Sequence, residues 1–435
     1  MKKIIFILLC LVITIISGAQ QNNNRPEREE WFTDLGFGMF IHWSMDSQLG
    51  VVISHSMAGA SDDYLNRFVS ELPATFNPKK FDPEEWAILS RLAGMRYVVF
   101  TAKHHSGFCM WDTRTTDFSV MNTPFGRDIT KEVIDAFRKY GIAIGLYFSP
   151  EDFHYLYRNK IPIGRLQHPM HYPVNNAGLM ELDKSQLTEL LGNYGKIDIL
   201  FLDGPAEGLR ELAWEINPEI VVTRGAMETP EQRLPDKPIP GPWEACFTMG
   251  TDWQYKPTND PHKSGTEIIN MLIETRAKGG NLLLNVGPKP DGEIQIEQEA
   301  LLREVALWMF VNREAIHDIR PWETIKEGDI WFTMNRKSKA VYAFVQGGAN
   351  WPFGERKVIE FRSLSGSDAT NASIPGYGSK LIEYREGADA GIYVTTGTSG
   401  VTISAVNGHR MYTNYKWPNP VVIKIGNIKY KPSVK

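Results

Sequence analysis

Short apolar runs alternate with amphipathic stretches along the first three-quarters of the chain, and most runs end in a polar side chain. Residues 37–41, 97–101, 142–148, 197–202, 220–222 and 281–286 read as buried parallel strands: unbroken β-formers, too short for helices. An apolar segment at 246–249 is a seventh candidate. Helical spacing falls between them, at 83–93, 128–140, 183–194, 206–216, 265–278 and 294–312. Asp82 before Pro83 is an N-cap and first-turn pair, and Gly141 closes the second of these helices. The alternation predicts an α/β fold, a (β/α)8-like TIM barrel over residues 31–321, with about seven strand candidates against the eight of a full barrel. Residues 44–78 read as loop-rich and 20–30 as a polar linker.

From about residue 322 the period changes. Alternating runs at 340–346, 357–361, 380–383 and 421–425 are separated by Gly, Asn and Ser turns, which predicts an all-β sandwich domain over 322–435. The start of the chain has a different texture again. Lys2 and Lys3, an apolar stretch to Ile16 and Ser17-Gly18-Ala19 read as an export signal over 1–19, placing the mature protein in the periplasm or outside the cell. No later stretch is apolar for long enough to span a bilayer.

Composition adds little to the fold but narrows the partners. A net charge of −4 gives no electrostatic basis for binding nucleic acid or an anionic membrane. With 12 Trp, 16 Tyr and 21 Phe the chain is rich in flat rings, on which apolar faces of sugars stack. Outside the signal only Cys109 and Cys246 remain, too few for a disulfide scaffold.

The strand ends carry the chemistry. His42, His104, His105, Tyr147, Asp203, Arg224 and Asn285 all follow or close apolar runs, and a barrel gathers such residues around one mouth. A lone Asp203 would be read as the cap of the next helix; its company favours a site. The chain lacks a His-x-His pair, a His-Glu-x-x-His helix or paired carboxylates beside the histidines, so no metal is expected. Neutral imidazoles, with one donor and one acceptor each, suit sugar hydroxyls. Glycosidic hydrolysis needs two carboxyl groups across the anomeric carbon. Asp203, with Arg224 to keep it ionised, suits nucleophilic attack, while Glu228, Glu231 and Glu244 are open choices for the proton donor.

Four blocks then carry a resemblance: residues 37–43 (Phe-Gly-Met-Phe-Ile-His-Trp), 97–105 (ending Lys-His-His), 200–204 (Leu-Phe-Leu-Asp-Gly) and 279–288 (Gly-Gly-Asn-Leu-Leu-Leu-Asn-Val-Gly-Pro). In this order they resemble the α-L-fucosidases of glycoside hydrolase family 29. The resemblance implies a barrel with a C-terminal β-sandwich and exo-acting, retaining release of terminal α-L-fucose from glycans, without metal or other cofactor. It implies a covalent glycosyl-enzyme on Asp203, with Glu231, in Thr229-Pro230-Glu231-Gln232, as acid/base. His42, His104, His105, Tyr147 and Arg224 match positions that bind sugar hydroxyls or line the nucleophile, and Trp253 matches an aromatic facing the fucose methyl group. Two places depart from the family pattern. Ser106 stands where an acid is usual, and 59–64 reads Gly-Ala-Ser-Asp-Asp-Tyr where a Glu-Trp pair is common. These departures keep a related sugar, L-galactose, in play as the alternative substrate. A sugar-binding protein on a degenerate hydrolase scaffold is the alternative of another class.

Overall fold

A computed structural model describes residues 22–408 and 418–432; the expected export signal at 1–19 lies outside them. The first described element is a helix where a linker is expected: α1 (Pro26–Leu35), with Pro26 in its first turn, drives Phe32 and Leu35 into the barrel interior.

Seven parallel strands follow: β1 (Phe37–Ile41), β2 (Tyr97–Lys103), β3 (Ala143–Phe148), β4 (Ile199–Leu202), β5 (Val221–Val222), β6 (Glu244–Thr248) and β7 (Asn281–Val286). Their order is β5-β4-β3-β2-β1-β7-β6. The helices on the outside are α2 (Asp62–Thr75), α3 (Pro83–Leu92), α4 (Ile129–Lys139), α5 (Phe153–Arg158), α6 (Ala177–Asn193), α7 (Leu209–Ile216), α8 (Gly265–Ala277) and α9 (Ile296–Asn312). The supposedly loop-rich 44–78 thus contains α2, whose apolar face (Leu65, Phe68, Leu72) is buried and whose N-cap is Ser61. Phe40, Val99, Tyr147, Phe201, Val221, Cys246 and Leu283, one from each strand, share a single buried cluster. Only a sheet curled upon itself brings all seven together. Gly38 makes room for part of this filling, since a Cβ there would lie 2.4 Å from the Tyr97 ring.

The expected eighth strand is not regular. Between β5 and β6 the chain passes through residues 228–232, which run beside β6 as two isolated parallel bridges, Glu228 with Trp243 and Glu231 with Cys246. Pro230 supplies a carbonyl to the Cys246 N–H (3.0 Å) but has no N–H to give in return, so the pairing with β6 is broken into separate bridges. On the far side of the gap the buried Asn24 closes the edge of β5: its amide donates to the Val222 carbonyl (2.9 Å) and its oxygen accepts from the Val222 N–H (2.8 Å).

The antiparallel part begins at β8 (Ile319–Glu327), a few residues before the expected boundary. It continues with β9 (Ile330–Asn335), β10 (Val341–Val345), β11 (Arg356–Phe361), β12 (Leu364–Ser365), β13 (Asn371–Ser373), β14 (Tyr393–Gly397), β15 (Gly400–Val406), β16 (Val421–Gly426) and β17 (Lys429–Tyr430). Sheets β13-β16-β10-β9-β8 and β11-β15-β14 face one another across a core that includes Phe332, Ala343, Phe361, Ile403 and Ile423. It is tied to the barrel through Asp34 of α1, which accepts from Arg320 (2.6 Å) and Arg336 (2.8 Å). Asp34 precedes β1, so this attachment is on the face where strands begin, opposite the mouth.

The Asn24 clamp is testable. Asn24→Ala leaves both polar groups of Val222 without their partner, and is expected to lower unfolding free energy by about 2 kcal/mol in chemical denaturation. An unchanged midpoint and slope would show that the edge of β5 is held by something else.

Candidate active site

Asp203 follows β4 directly, its N–H donating to the Phe148 carbonyl (3.0 Å). It does not cap the next helix, because Gly208 precedes α7. Its carboxylate instead gathers donors from neighbouring strand ends. Tyr147 Oη donates to Oδ2 (2.7 Å), Arg224 Nη1 to Oδ1 (2.9 Å), and His105 Nε2 lies 3.3 Å from Oδ2. Burial opposes ionisation of Asp203, but His105, Arg224 and Tyr147 together outweigh it and hold the carboxyl well below the usual carboxylate range.

The two adjacent histidines reach the site through an irregularity. The β2–β3 register shifts between Thr101 and Lys103, a bulge that re-aims the chain just before His104. Lys103 then turns outward into a fully buried pocket, where Nζ donates to Asp183 (2.9 Å), Gln186 (2.8 Å) and Asp152 (3.3 Å). Asp152 also caps α5, and the Phe153 N–H donates to the His105 carbonyl (2.7 Å). The backbone of the histidine pair is therefore clamped by a buried ion cluster behind it.

The ring tautomers follow from their partners. His42 Nδ1 faces the Asn285 amide oxygen (2.7 Å), which only accepts, so Nδ1 carries the proton and Nε2 is an acceptor. The Asn285 amide is oriented by donating to the Trp253 carbonyl. His104 is the reverse. Its Nδ1 accepts from the His105 N–H (2.9 Å), leaving an Nε2–H donor. Burial pushes His42 down to about 3 and His104 well below the ordinary imidazole value, so both stay neutral where the protein is folded. One acceptor and one donor, 5.5 Å apart by ring centre, are suited to hydroxyls.

Aromatic rings form the floor and a wall. His104 stacks on Tyr147 (4.9 Å, 11°), and Tyr147 stacks on Phe201 (5.6 Å, 20°). Arg224 lies over the Phe201 ring at 4.8 Å. Trp253, half-buried, leans on His42 at 4.9 Å.

Of the three candidate donors, only Glu231 is brought to Asp203. Its Oε2 accepts from the same Arg224 Nη1 (3.0 Å), and its side chain is 43% exposed. Glu244 opens β6, at the end of the barrel away from the mouth, where it is buried and accepts from Tyr97 Oη (2.5 Å). Burial pushes it up to about 7, so a perturbed carboxyl here marks an interior partner of a tyrosine. Glu228 is exposed on the rudimentary strand beside Trp243.

Two further side chains of the site, Ser149 and Arg165, escaped the sequence reading. Ser149 Oγ bridges His105 Nδ1 (2.8 Å) and Tyr147 Oη (3.0 Å); it lies one residue past β3, where a search of strand ends could have found it. Glu151 is buried behind His105. Arg165 reaches His105 Nε2 from an irregular loop that carries no periodic signal. The two places that depart from the family pattern have local duties: Ser106 Oγ accepts from the Phe108 N–H (3.4 Å), and Ser61 caps α2. Cys109 and Cys246 are both free and buried.

His104, His105 and Asp203 have ligand atoms within 4.8 Å of one another, a spacing a metal could bridge. The chemistry of the set fits poorly: both Asp203 oxygens and both His105 nitrogens are engaged, and two guanidinium groups, Arg165 and Arg224, stand beside them.

A (β/α) barrel with two carboxylates around one arginine, neutral histidines and an aromatic wall defines a glycoside hydrolase. The profile of the alpha-L-fucosidase family matches residues 17–314, and this chain belongs to that family. Tissue alpha-L-fucosidase of Rattus norvegicus is 32% identical over 400 residues, covering 81% of this chain and 82% of the relative. Alpha-L-fucosidase of Dictyostelium discoideum is 26% identical, covering 93% and 95%. Among solved structures, alpha-L-fucosidase isoenzyme 1 from Paenibacillus thiaminolyticus superposes with a TM-score of 0.72 at 27% identity, over 93% of this chain and 99% of that one. A Bacteroides thetaiotaomicron alpha-L-fucosidase trapped as a covalent intermediate shares the fold at 23% identity and TM-score 0.72, over 94% and 98%.

The hydrogen bond from Tyr147 lowers the Asp203 pKa, so Tyr147→Phe raises it. Protonation then removes the Asp203 carboxylate at higher pH, and the acid limb of kcat/KM on an aryl fucoside is expected to move up by about one pH unit. An acid limb in the same place would mean that Tyr147 does not set the charge of Asp203.

Proposed function

We propose that this enzyme removes terminal α-L-fucose from fucosylated glycans by a retaining, two-step reaction with Asp203 as nucleophile and Glu231 as acid/base. The observation that carries this reading is the shared nitrogen: Arg224 Nη1 lies 2.9 Å from Asp203 and 3.0 Å from Glu231. The two carboxylate oxygens are therefore no more than about 6 Å apart, which fits a retaining pair (about 5–5.5 Å) and leaves too little room for the water of an inverting one. A relative trapped as a covalent intermediate supports the same chemistry.

In the first step Asp203 attacks the anomeric carbon from the floor of the pocket while Glu231 protonates the departing oxygen. When the ester forms, Asp203 loses its charge, and Arg224 is left with Glu231 as its one anionic partner. That change favours the carboxylate of Glu231, the form needed to activate water in the second step. His42 and His104 hold sugar hydroxyls through an acceptor and a donor. Trp253 faces the deoxy carbon, the apolar corner of fucose. L-Galactose adds a hydroxyl at that corner, which an aromatic wall rejects only weakly. The basic and apolar start of the chain supports export to the periplasm or beyond. Among the described residues no helix is long and apolar enough to cross a membrane.

Asp203→Gly is expected to lower turnover of an aryl fucoside by about 1,000-fold or more while the fold survives. Glu231→Ala should slow poor leaving groups far more than activated ones, and azide should restore activity with α-fucosyl azide as product. From Asp203→Gly, azide should give the β-anomer. Interchanged products would reverse the two roles, and full activity of Asp203→Gly would end the assignment.

A further inference from the structure

The loop between α5 and α6 is held in place by contacts that have one common result, the position of Arg165. Buried Glu151, just past β3, accepts from the Leu166 N–H (2.9 Å) and pairs with Arg165 Nη1 (3.3 Å). The Ile163 carbonyl accepts from the Gly59 N–H (3.1 Å), His171 Nε2 bonds the Pro162 carbonyl (2.8 Å), and Tyr172 Oη donates to the Leu166 carbonyl (3.3 Å). Leu166 itself sits at φ 51°, a left-handed conformation that a leucine adopts only where its surroundings impose it. The product of this effort is a guanidinium laid against His105 Nε2, next to the reactive carboxylate, with its field felt by His104, His105 and Tyr147.

Resting on the fucosidase reading, we infer that Arg165 is a substrate-binding residue whose guanidinium fork donates to vicinal hydroxyls of the sugar on the His105 side of the pocket. Charge decides between neutral and anionic ligands. Glu151 balances Arg165, and Asp203 balances Arg224, so the pocket offers donors without surplus positive charge. Such a site selects hydroxyl oxygens over a sulfate or carboxylate substituent. His42 and His104 address the hydroxyls nearer Trp253, and Arg165 addresses those across the ring.

The test compares the full chain with Arg165→Ala and Arg165→Lys on an aryl α-L-fucoside, its 2-deoxy and 3-deoxy analogues, and a sulfated aryl fucoside. Wild type is expected to discriminate against at least one deoxy analogue by about 10- to 100-fold in kcat/KM, the scale of a hydrogen bond from a charged donor. Arg165→Ala should raise KM for the parent fucoside about 10-fold and collapse that discrimination, with Arg165→Lys in between. Equal losses on all neutral substrates, or an unchanged ratio, would overturn the inference. So would a wild-type preference for the sulfated fucoside that disappears in Arg165→Ala. Should the Ala variant fail to fold by circular dichroism, the ratio in Arg165→Lys decides alone. Wild-type turnover of the parent fucoside tests the fucosidase reading separately, because the Arg165 result is a ratio among substrates.

Discussion

An ionised, half-buried carboxylate at the mouth of the barrel is the constraint on which the site depends. Removing a carboxylate from water costs several kcal/mol unless charges and donors replace the lost hydration. Asp203 receives them from three directions: His105 beyond β2, Tyr147 on β3 and Arg224 beyond β5. Neighbouring strand ends are thus committed to one carboxylate, and none can shift register without exposing or discharging it. Arg224 extends the commitment to the rudimentary strand by also holding Glu231. The aromatic floor follows from the same need, since Phe201 supports the guanidinium from below and Tyr147 must stack to aim its hydroxyl.

Behind the site, charge is handled in the same way. Lys103, wholly buried, is surrounded by Asp152, Asp183 and the Gln186 amide, and holds the backbone from which His104 and His105 project. Breaking such a cluster by removing one partner would leave a buried charge uncompensated. The bulge at the end of β2 lets Lys103 point outward to its acids while the next residues point into the mouth of the barrel. Local distortion of a strand and a buried ion cluster are therefore two parts of one device. It fixes both histidines through their main chain and leaves the outer nitrogen of His104 available.

The regular parts of this arrangement were legible in the sequence, and the irregular parts were not. Unbroken apolar strands announce themselves, so Asp203, His42, His104, His105 and Tyr147 could be gathered by their position alone. The first half of helix α1, residues 26–30, was read as linker because its composition is polar; its buried contacts, Phe32 and Leu35, come only in the second half and act through tertiary packing. Helix α2 was hidden among turn-forming residues whose use as an N-cap at Ser61 emerges only once the helix exists. The candidates Glu228, Glu231 and Glu244 were chemically equivalent on paper. Their separation into exposed flank, Arg224 partner and interior partner of Tyr97 depends on how residues 228–232 lie against β6. Arg165 had no signal, since its position is set by Glu151, Gly59 and Tyr172, all distant from it in pattern.

The unfinished eighth strand has a physical rationale. The proposed nucleophile must not move, and it sits where β3 and β4 are fully laddered and buried on both sides. The proposed acid/base has the opposite need, because the departing glycan and the incoming water must pass over it. A complete eighth strand would bury the side chain at position 231 in a closed rim. Here Pro230 interrupts the ladder to β6, Asn24 closes the edge of β5 below, and Arg224 bridges the gap above. The seam is stitched by side chains instead of a backbone ladder, and this leaves Glu231 at the open side of the pocket with one firm contact, to the arginine that also serves Asp203. Segments paired on one side only are the first to open locally. Rigidity is thus concentrated at the proposed nucleophile, and access at the proposed acid/base.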